Sequence, residues 1–324
     1  MLSYLPRAIA LFALAGFVAG STARADDYPS RPVKIIAPFG AGGPTDVYTR
    51  AIAEELRNSL HQAFIIEDRP GAGTTIGTDV VAKSVPDGYT LLMVSATQTV
   101  NETLYSHKPY QLMRDLVAVA PLIATDLVLV AHPSVPAKNV SELIALAREK
   151  SGTLNYGSSG PGSNYHMAGE LLKSLTGIDI VHVPYKGSTG ARTDILSGQI
   201  QLLFDSVPTM AQMINSGMVH ALGTTGTSRS PVLPDVPTIA ETVPGFQMAP
   251  WIGFMAPKAT PAAIVERLSR TIAEILSRPE IKAAWTKQGA TPLTMTQPEF
   301  EDFMQSQIQK WAKVIKDNHI ALIN

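Results

Sequence analysis

The sequence predicts an α/β protein of two lobes about a hinged cleft, with a helical cover supplied by the C-terminal segment. Short β-branched and apolar runs alternate with amphipathic stretches of helical period from residue 33 to residue 255, the pattern of βαβ units in open, largely parallel sheets. Two glycine-rich loops about a hundred residues apart each lie between a strand and a helix, which suggests one ligand held between two lobes. Of the 324 residues, the first 25 read as an export signal. The remaining roughly 300 exceed one compact core of ordinary size.

The strands expected are Val33 to Ala37, Phe64 to Glu67, Tyr89 to Val94, Leu127 to Ala131, Leu154 to Tyr156, Ile180 to Val183, Ile200 to Phe204, His220 to Gly223 and Ile252 to Met255. Between the first two, Val47, Ala51, Leu56 and Leu60 approximate one apolar helical stripe. Asn139 with Glu142 forms a capping pair that opens a helix to Lys150, and Gly152 ends it; Ser163 caps a helix that Gly177 closes. Pro86-Asp87-Gly88 is a turn feeding the strand at 89. Helices at Pro261 to Ser277, Pro279 to Gln288 and Gln297 to Asp317 make the cover. A crossing near Thr125 and a return near Pro250 divide the chain into lobe one, 26–124 plus 250–324, and lobe two, 125–249, with the hinge at the double crossing.

The N-terminus fixes the compartment. Arg7 is the sole charge before the apolar run Ala8 to Ala19, and Ala23-Arg24-Ala25 fits a small-x-small cleavage rule, with Asp26 as the mature N-terminus. The run of about 12 residues falls short of the roughly 20 that span a bilayer, so the mature protein is expected to be exported, without membrane insertion. The formal net charge of the whole chain is −1, and removal of Arg7 and Arg24 makes it slightly more acidic; no basic run offers a face for nucleic acid. With no cysteine there is no disulfide, lipidation site or thiolate.

The residues Val33 to Asp46 run from a strand through a glycine-rich loop into a helix start. Gly40, Gly42 and Gly43 lack Cβ atoms, so the loop can bring free N–H groups to a ligand at the positive end of the helix dipole. The second loop, Gly157-Ser158-Ser159-Gly160-Pro161-Gly162-Ser163, repeats the device. A ligand carboxylate then lies against the N–H groups of Ala41, Gly42, Gly43 and Thr45 and of Gly160 to Ser163, with the Thr45 and Ser163 hydroxyls donating directly. Ser95 and Thr97 follow the strand that ends at Val94, the binding end of a parallel strand, and Asn101 fixes that loop. Several residues keep two readings. Asp46 is a helix-dipole partner or a contact to water or a cationic ligand group, and Asp205 poses the same question; His166 packs in its helix or touches ligand; Lys186 is a solvated charge or a cleft residue. Gly71 to Thr75 read as a turn rather than a third anion site, and Trp251 as hinge packing rather than a ligand platform.

Enzyme motifs are incomplete. The first loop lacks the Gly-Lys-Ser/Thr ending of a P-loop, Ile76 stands where a dinucleotide fingerprint needs glycine or alanine, and Pro161 breaks a Gly-x-Ser-x-Gly elbow. No His-x-x-x-His pair provides a metal site, and no cofactor is implied. A secreted enzyme acting on small organic acids, or a ligand sensor signalling to a membrane partner, are the alternatives to a binding receptor.

Six motifs occur in order: Tyr28-Pro29-Ser30-Arg31-Pro32-Val33; Pro38-Phe39-Gly40-Ala41-Gly42-Gly43 with Asp46; Arg69-Pro70-Gly71-Ala72-Gly73; Pro86-Asp87-Gly88-Tyr89-Thr90; His182-Val183-Pro184-Tyr185-Lys186-Gly187; and Leu233-Pro234-Asp235-Val236-Pro237-Thr238. Together they resemble the substrate-binding receptors of tripartite tricarboxylate transporters, the Bug receptors, over essentially the whole mature chain. The resemblance implies a two-lobed periplasmic binding protein fold, a periplasmic location, a small carboxylate ligand (organic acid, acidic amino acid or aromatic acid) and delivery to membrane permease subunits. A monomer without catalytic activity is expected. It places ligand contacts on Phe39 to Asp46 and on Ser158 to His166. Gly40 departs from the alanine usual in such loops, Asp68 from an asparagine and Gly157 from an alanine; none removes an N–H donor.

Overall fold

A computed structural model of the chain describes residues 28–40 and 44–324; the export signal read at residues 1–25 and the loop residues Ala41, Gly42 and Gly43 lie outside the described residues. Among the described residues the strands are β1 (Val33–Ala37), β2 (Phe64–Asp68), β3 (Thr90–Ser95), β4 (Leu116–Thr125), β5 (Leu127–Ala131), β6 (Asn155–Ser158), β7 (Val181–Pro184), β8 (Leu202–Ser206), β9 (His220–Thr224), β10 (Trp251–Pro257) and β11 (Ala290–Pro292). They form two sheets, ordered β11-β4-β10-β3-β1-β2 and β7-β6-β8-β5-β9. Both sheets are mixed. β1 is parallel to β2 and β3, and β6 to β7 and β8, whereas β10 and β5 run antiparallel to their neighbours.

The apolar runs are continuous because helices cover both faces of each sheet. In β1, Val33, Ile35 and Ala37 enter a core with Leu91, Phe254, Leu268 and Ile272, while Ile36 points to the opposite core with Leu92, Val94, Met255 and Phe300. The second sheet divides likewise: Leu127, Leu129 and Phe204 face one core, Val128, Val130 and Leu203 the other. The two-residue period of a strand therefore sends neighbours to separate cores.

Two strands escape the sequence reading. β4 contains Pro121, which removes a ladder donor and argues against an interior strand. The structure accommodates it beside register shifts in the pairing of β4 with β10, at Ile252/Gly253 and Phe254/Met255. β11 is three residues long and gives no periodic signal. The stripe expected on helix Pro44–Leu60 is also out of phase: Val47 is 52% exposed, and Tyr48, Ile52 and Leu56, four residues apart, are the buried set. The expected caps form, with the Asn139 side chain accepting from the Glu142 N–H, Ser163 from the His166 N–H, and Gly177 left-handed at the end of its helix.

The chain passes from the first sheet to the second between Thr125 and Leu127, with one residue between β4 and β5, and comes back between β9 and β10. The crossings are tied together. The Thr125 N–H donates to the Pro250 carbonyl at 2.8 Å, the Thr225 N–H to the Leu127 carbonyl at 2.9 Å, and the Leu127 N–H to Thr225 Oγ1 at 2.9 Å.

Helix Gln297–Asp317 joins the lobes a third time. Phe300 and Met304 pack in a core of the first sheet, whereas Trp311, Val314 and Ile315 pack with Leu129, Phe204 and Met167 of the second. The far half of this helix thus rests on the core of the second sheet, although its strand neighbours belong to the first. Trp311→Ala is expected to lower unfolding stability by about 3 to 5 kcal/mol in denaturant titrations, the usual range for emptying a buried aromatic site.

Candidate functional site

A cavity of about 320 Å³ lies between the sheets at the carboxyl ends of their parallel strands. Phe39 follows β1, Ser95 ends β3, Ser159 follows β6, Gly187 and Ser188 follow β7, and Ser206 ends β8; all line the cavity. The floor comes from the crossings: Ile123, Thr125 and Leu127 from one, Pro250, Trp251 and Ile252 from the other. Trp251 also packs edge-on against Phe300 and Phe303, at 5.5 and 5.4 Å between ring centroids, so it combines hinge packing with a place in the lining.

Five helices begin at this cavity. They are Pro44–Leu60, Ala96–Leu104, Asn164–Thr176, Ser188–Ser197 and Val207–Asn215, and each contributes a lining residue from its first turn or its cap. The four described caps are serine or glycine. Ser95 completes a capping box with Gln98, Ser163 accepts from the His166 N–H, and Gly187 and Ser206 occupy the same place on the last two. A helix start carries unsatisfied N–H groups and about half a positive charge, so five of them make a cavity attractive to anions. Among the described lining residues none has a charged side chain.

Of the residues singled out in the sequence, Phe39, Thr45, Ser95, Thr97, Ser159 and Ser163 line the cavity. Asp46 and Asp205 stand behind it. Asp46 is buried and forms an ion pair with Arg50 at 2.8 Å, one turn along its own helix. Asp205 is fully buried, paired with Arg192 at 2.8 Å and accepting from the Ser206 N–H at 2.7 Å. It also accepts from the Tyr165 hydroxyl; burial raises its pKa, and Arg192 opposes that rise. Arg192, itself half-buried, reaches on to Ser188 Oγ at 2.6 Å, so one ion pair supports three lining residues, Tyr165, Ser188 and Ser206. Lys186 is exposed and outside the lining.

Ser158, Gly160, Gly162 and His166 shape the second loop from beneath. Ser158 Oγ lies 2.6 Å from His182 Nε2 and accepts from the Gly160 N–H, while the Gly162 N–H donates to His166 Nδ1 at 3.1 Å. The two imidazoles stack at 4.0 Å. Burial, with Lys173 alongside, pushes His166 down to about 4, and burial with His166 as neighbour pushes His182 down to about 3, which keeps both neutral and the His166 acceptor free. His166 faces a second cavity, of about 430 Å³, shared with Glu170, Lys173 and the C-terminal residues 318–323.

Sequence reasoning missed Tyr48, Asn164, Tyr165, Ser188 and Ser206 in the lining. All five stand within two residues of a position it had named, so the helix start itself was the signal.

A cleft of this kind between two α/β lobes defines a solute-binding receptor of the periplasmic type. Residues 48–320 match the tripartite tricarboxylate transporter family receptor, and the chain belongs to that family. It is 38% identical over 296 residues to BugT of Bordetella pertussis, covering 90% of this chain and 91% of BugT. Among solved structures it is similar to R. palustris Rpa4515 with adipate, at TM-score 0.83 and 33% identity over 92% of this chain and all of that one. It is also similar to MatC from Rhodopseudomonas palustris with bound malate, at TM-score 0.78 and 31% identity over 89% of this chain and 100% of that one. The family and these neighbours are solute-binding receptors rather than enzymes. No described helix is long and apolar enough to cross a membrane.

Two outcomes are expected for the second loop. Gly162 has φ +74°, and a Cβ there meets Leu104 Cδ2 at 2.5 Å, so Gly162→Val destabilises by roughly 2 kcal/mol or more, read from thermal or denaturant unfolding. The His166 pKa lies lower in the folded state than in the unfolded state. The stability this represents is present above about pH 6.5 and is lost as pH falls toward 4, by up to about 3 kcal/mol. His166→Gln, which cannot titrate, makes that acid limb shallower in unfolding curves taken from pH 7 to pH 4 and leaves the part due to His182.

Proposed function

We propose that this receptor captures a small carboxylate by lobe closure and delivers it to the permease of a tripartite tricarboxylate-type transporter. The observation that carries the reading is the convergence of five helix N-termini, from both lobes, on one cavity whose described lining has no charged side chain. The relatives with adipate and malate support it, since both ligands are carboxylates. In this reading the lobes are 26–124 plus 250–324 and 125–249, the export signal of residues 1–25 is removed, and the protein acts in the periplasm as a monomer.

The carboxylate accepts from N–H groups of Ala41, Gly42, Gly43 and Thr45 on the first lobe, with Ser95 and Thr97 close by. Ser159, Gly160 and Ser163 complete the cradle from the second. Ser158, Gly162, His166, Asp46 and Asp205 act by holding those donors in place, and Lys186 lies on the rim. Charge-assisted bonds of this sort contribute roughly 1.5 to 3 kcal/mol each, and neutral donors let the ligand leave without breaking an ion pair. Because the donors are divided between the lobes, only the closed form satisfies the anion fully, and closure marks the loaded receptor for the permease.

The test is a thermal-shift screen of the mature protein against organic, aromatic and amino acids, with calorimetry on each hit. A ligand at a hundred times its dissociation constant adds about 2.7 kcal/mol of stability. Thr97→Ala and Ser163→Ala are each expected to weaken a hit by about tenfold or more with the fold intact. Binding unchanged in both variants would remove the cavity from the reading.

A further inference from the structure

Beside the crossing, the turn after helix Pro279–Lys287 touches the unit built on the second sheet. Gly289 leads into β11, whose Ala290 pairs with Thr125 at the end of β4. The next residue, Asp126, spans the crossing, and its carbonyl accepts from the Val207 N–H at 3.1 Å, which brings the start of helix Val207–Asn215 to the same place. Gly289 has φ +76°, and a Cβ built on it would lie 3.1 Å from Pro208 Cγ and 3.5 Å from Val232 Cγ2, so the proline side is already closer than carbon atoms prefer. Both sides of this contact continue to the ligand cavity. On one, the Gln288 carbonyl accepts from the Tyr48 hydroxyl at 3.3 Å, and Trp285 packs edge-on against the Tyr48 ring. On the other, Ser206, two residues before Pro208, occupies the helix cap, and both Tyr48 and Ser206 line the cavity.

We propose that Gly289 is the spacer that sets the width of the ligand cavity, and with it the length of ligand that the two lobes can hold together. The inference rests on the receptor reading above and adds a selectivity determinant that touches no ligand. Tyr48 and Ser206 belong to opposite walls, and Gln288, Gly289 and Pro208 form a packed link between them. A side chain at position 289 has little room to yield. Behind it the chain is held by the pairing of β11 with β4 and by the Gly289 N–H, which donates to the Thr286 carbonyl at 2.9 Å; in front of it Pro208 is fixed in the first turn of its helix. The lobes must therefore part to admit it. Because the contact lies next to the crossing, a small displacement there becomes a larger one across the cavity, as at the short arm of a lever. Glycine alone supplies both the left-handed turn and the missing Cβ. With the walls further apart, donors of the second lobe no longer reach a short anion held on the first, and a longer one spans the gap.

The test combines calorimetry of the mature protein against linear dicarboxylates from malonate to pimelate with a ligand-free distance between the lobes. The distance is read by pulsed electron resonance between nitroxides on Asn58→Cys and Gln212→Cys, two exposed helix positions, and the chain has no cysteine of its own to compete for label. Gly289→Ala and Gly289→Leu are expected to lengthen the distance, most in the leucine variant, and to move the preference toward a longer acid. The acid bound most tightly by the unmodified protein should lose about tenfold or more in Gly289→Leu, the equivalent of one charge-assisted hydrogen bond. Adding Pro208→Ala should restore both readings. Gly245→Leu controls for the backbone alone, since its φ is +85° and nothing lies within 4 Å of a Cβ there, and it should change neither. Gly289→Leu with the distance and acid preference of the unmodified protein would overturn the spacer and leave the receptor standing; Gly289→Ala carries the same comparison if leucine prevents folding. If no acid binds the unmodified protein, the carboxylate reading falls, and the distances still decide the spacer: longer supports it, unchanged overturns it.

Discussion

Helix starts leave backbone donors without intrahelical partners, and this protein turns five of them toward a single space. Much of the surrounding sequence follows from that arrangement. Strands must end there for helices to begin there, so the carboxyl ends of β1, β3, β6, β7 and β8 all meet the cavity. The caps must be short and must not fill it, and serine and glycine meet that demand. The two buried acids beside these helix starts each pair with a cation, Asp46 with Arg50 and Asp205 with Arg192, so neither leaves a net negative charge to oppose an anion in the cavity.

The groups that hold the second loop directly are neutral, with the Glu170 and Lys173 ion pair one step behind them. Two imidazoles held neutral by burial provide an acceptor for the Gly162 N–H and a partner for Ser158 Oγ. A charged support in their place would add a field of its own to the cavity a few ångströms away. The Asp205 and Arg192 pair achieves a similar result differently, because its charges largely cancel while its hydrogen bonds reach three lining residues.

Much of the architecture was legible in the primary structure because continuous β-branched runs and glycine loops report directly on buried strands and helix starts. β4 was not, since Pro121 is a signal against an interior strand and only the paired strand's irregular register reveals how it is accommodated. The helix at 44–60 was legible as a helix but not in its phase: Val47 and Tyr48 are adjacent, and which of them is buried depends on Trp285, which stacks edge-on with Tyr48 from more than two hundred residues away. In the site, residues in loops before helices were found by their local grammar. Asp205 and His166 were recognised as unusual, yet whether such a group faces the cavity or stands behind it is decided by partners remote in sequence, Arg192 and His182 among them. The floor was the least legible part, because Ile123, Leu127 and Ile252 look like any other core residues until the two crossings are seen side by side.

The last helix bears on how such a molecule can move. Its 21 residues extend about 30 Å, with one end seated in each lobe. Spreading the lobes like jaws would bend this rod between Met304 and Trp311 or pull one end from its seat. The helix is therefore a third tie beside the two crossings, and any separation of the two cores must work against the side chains it buries in each.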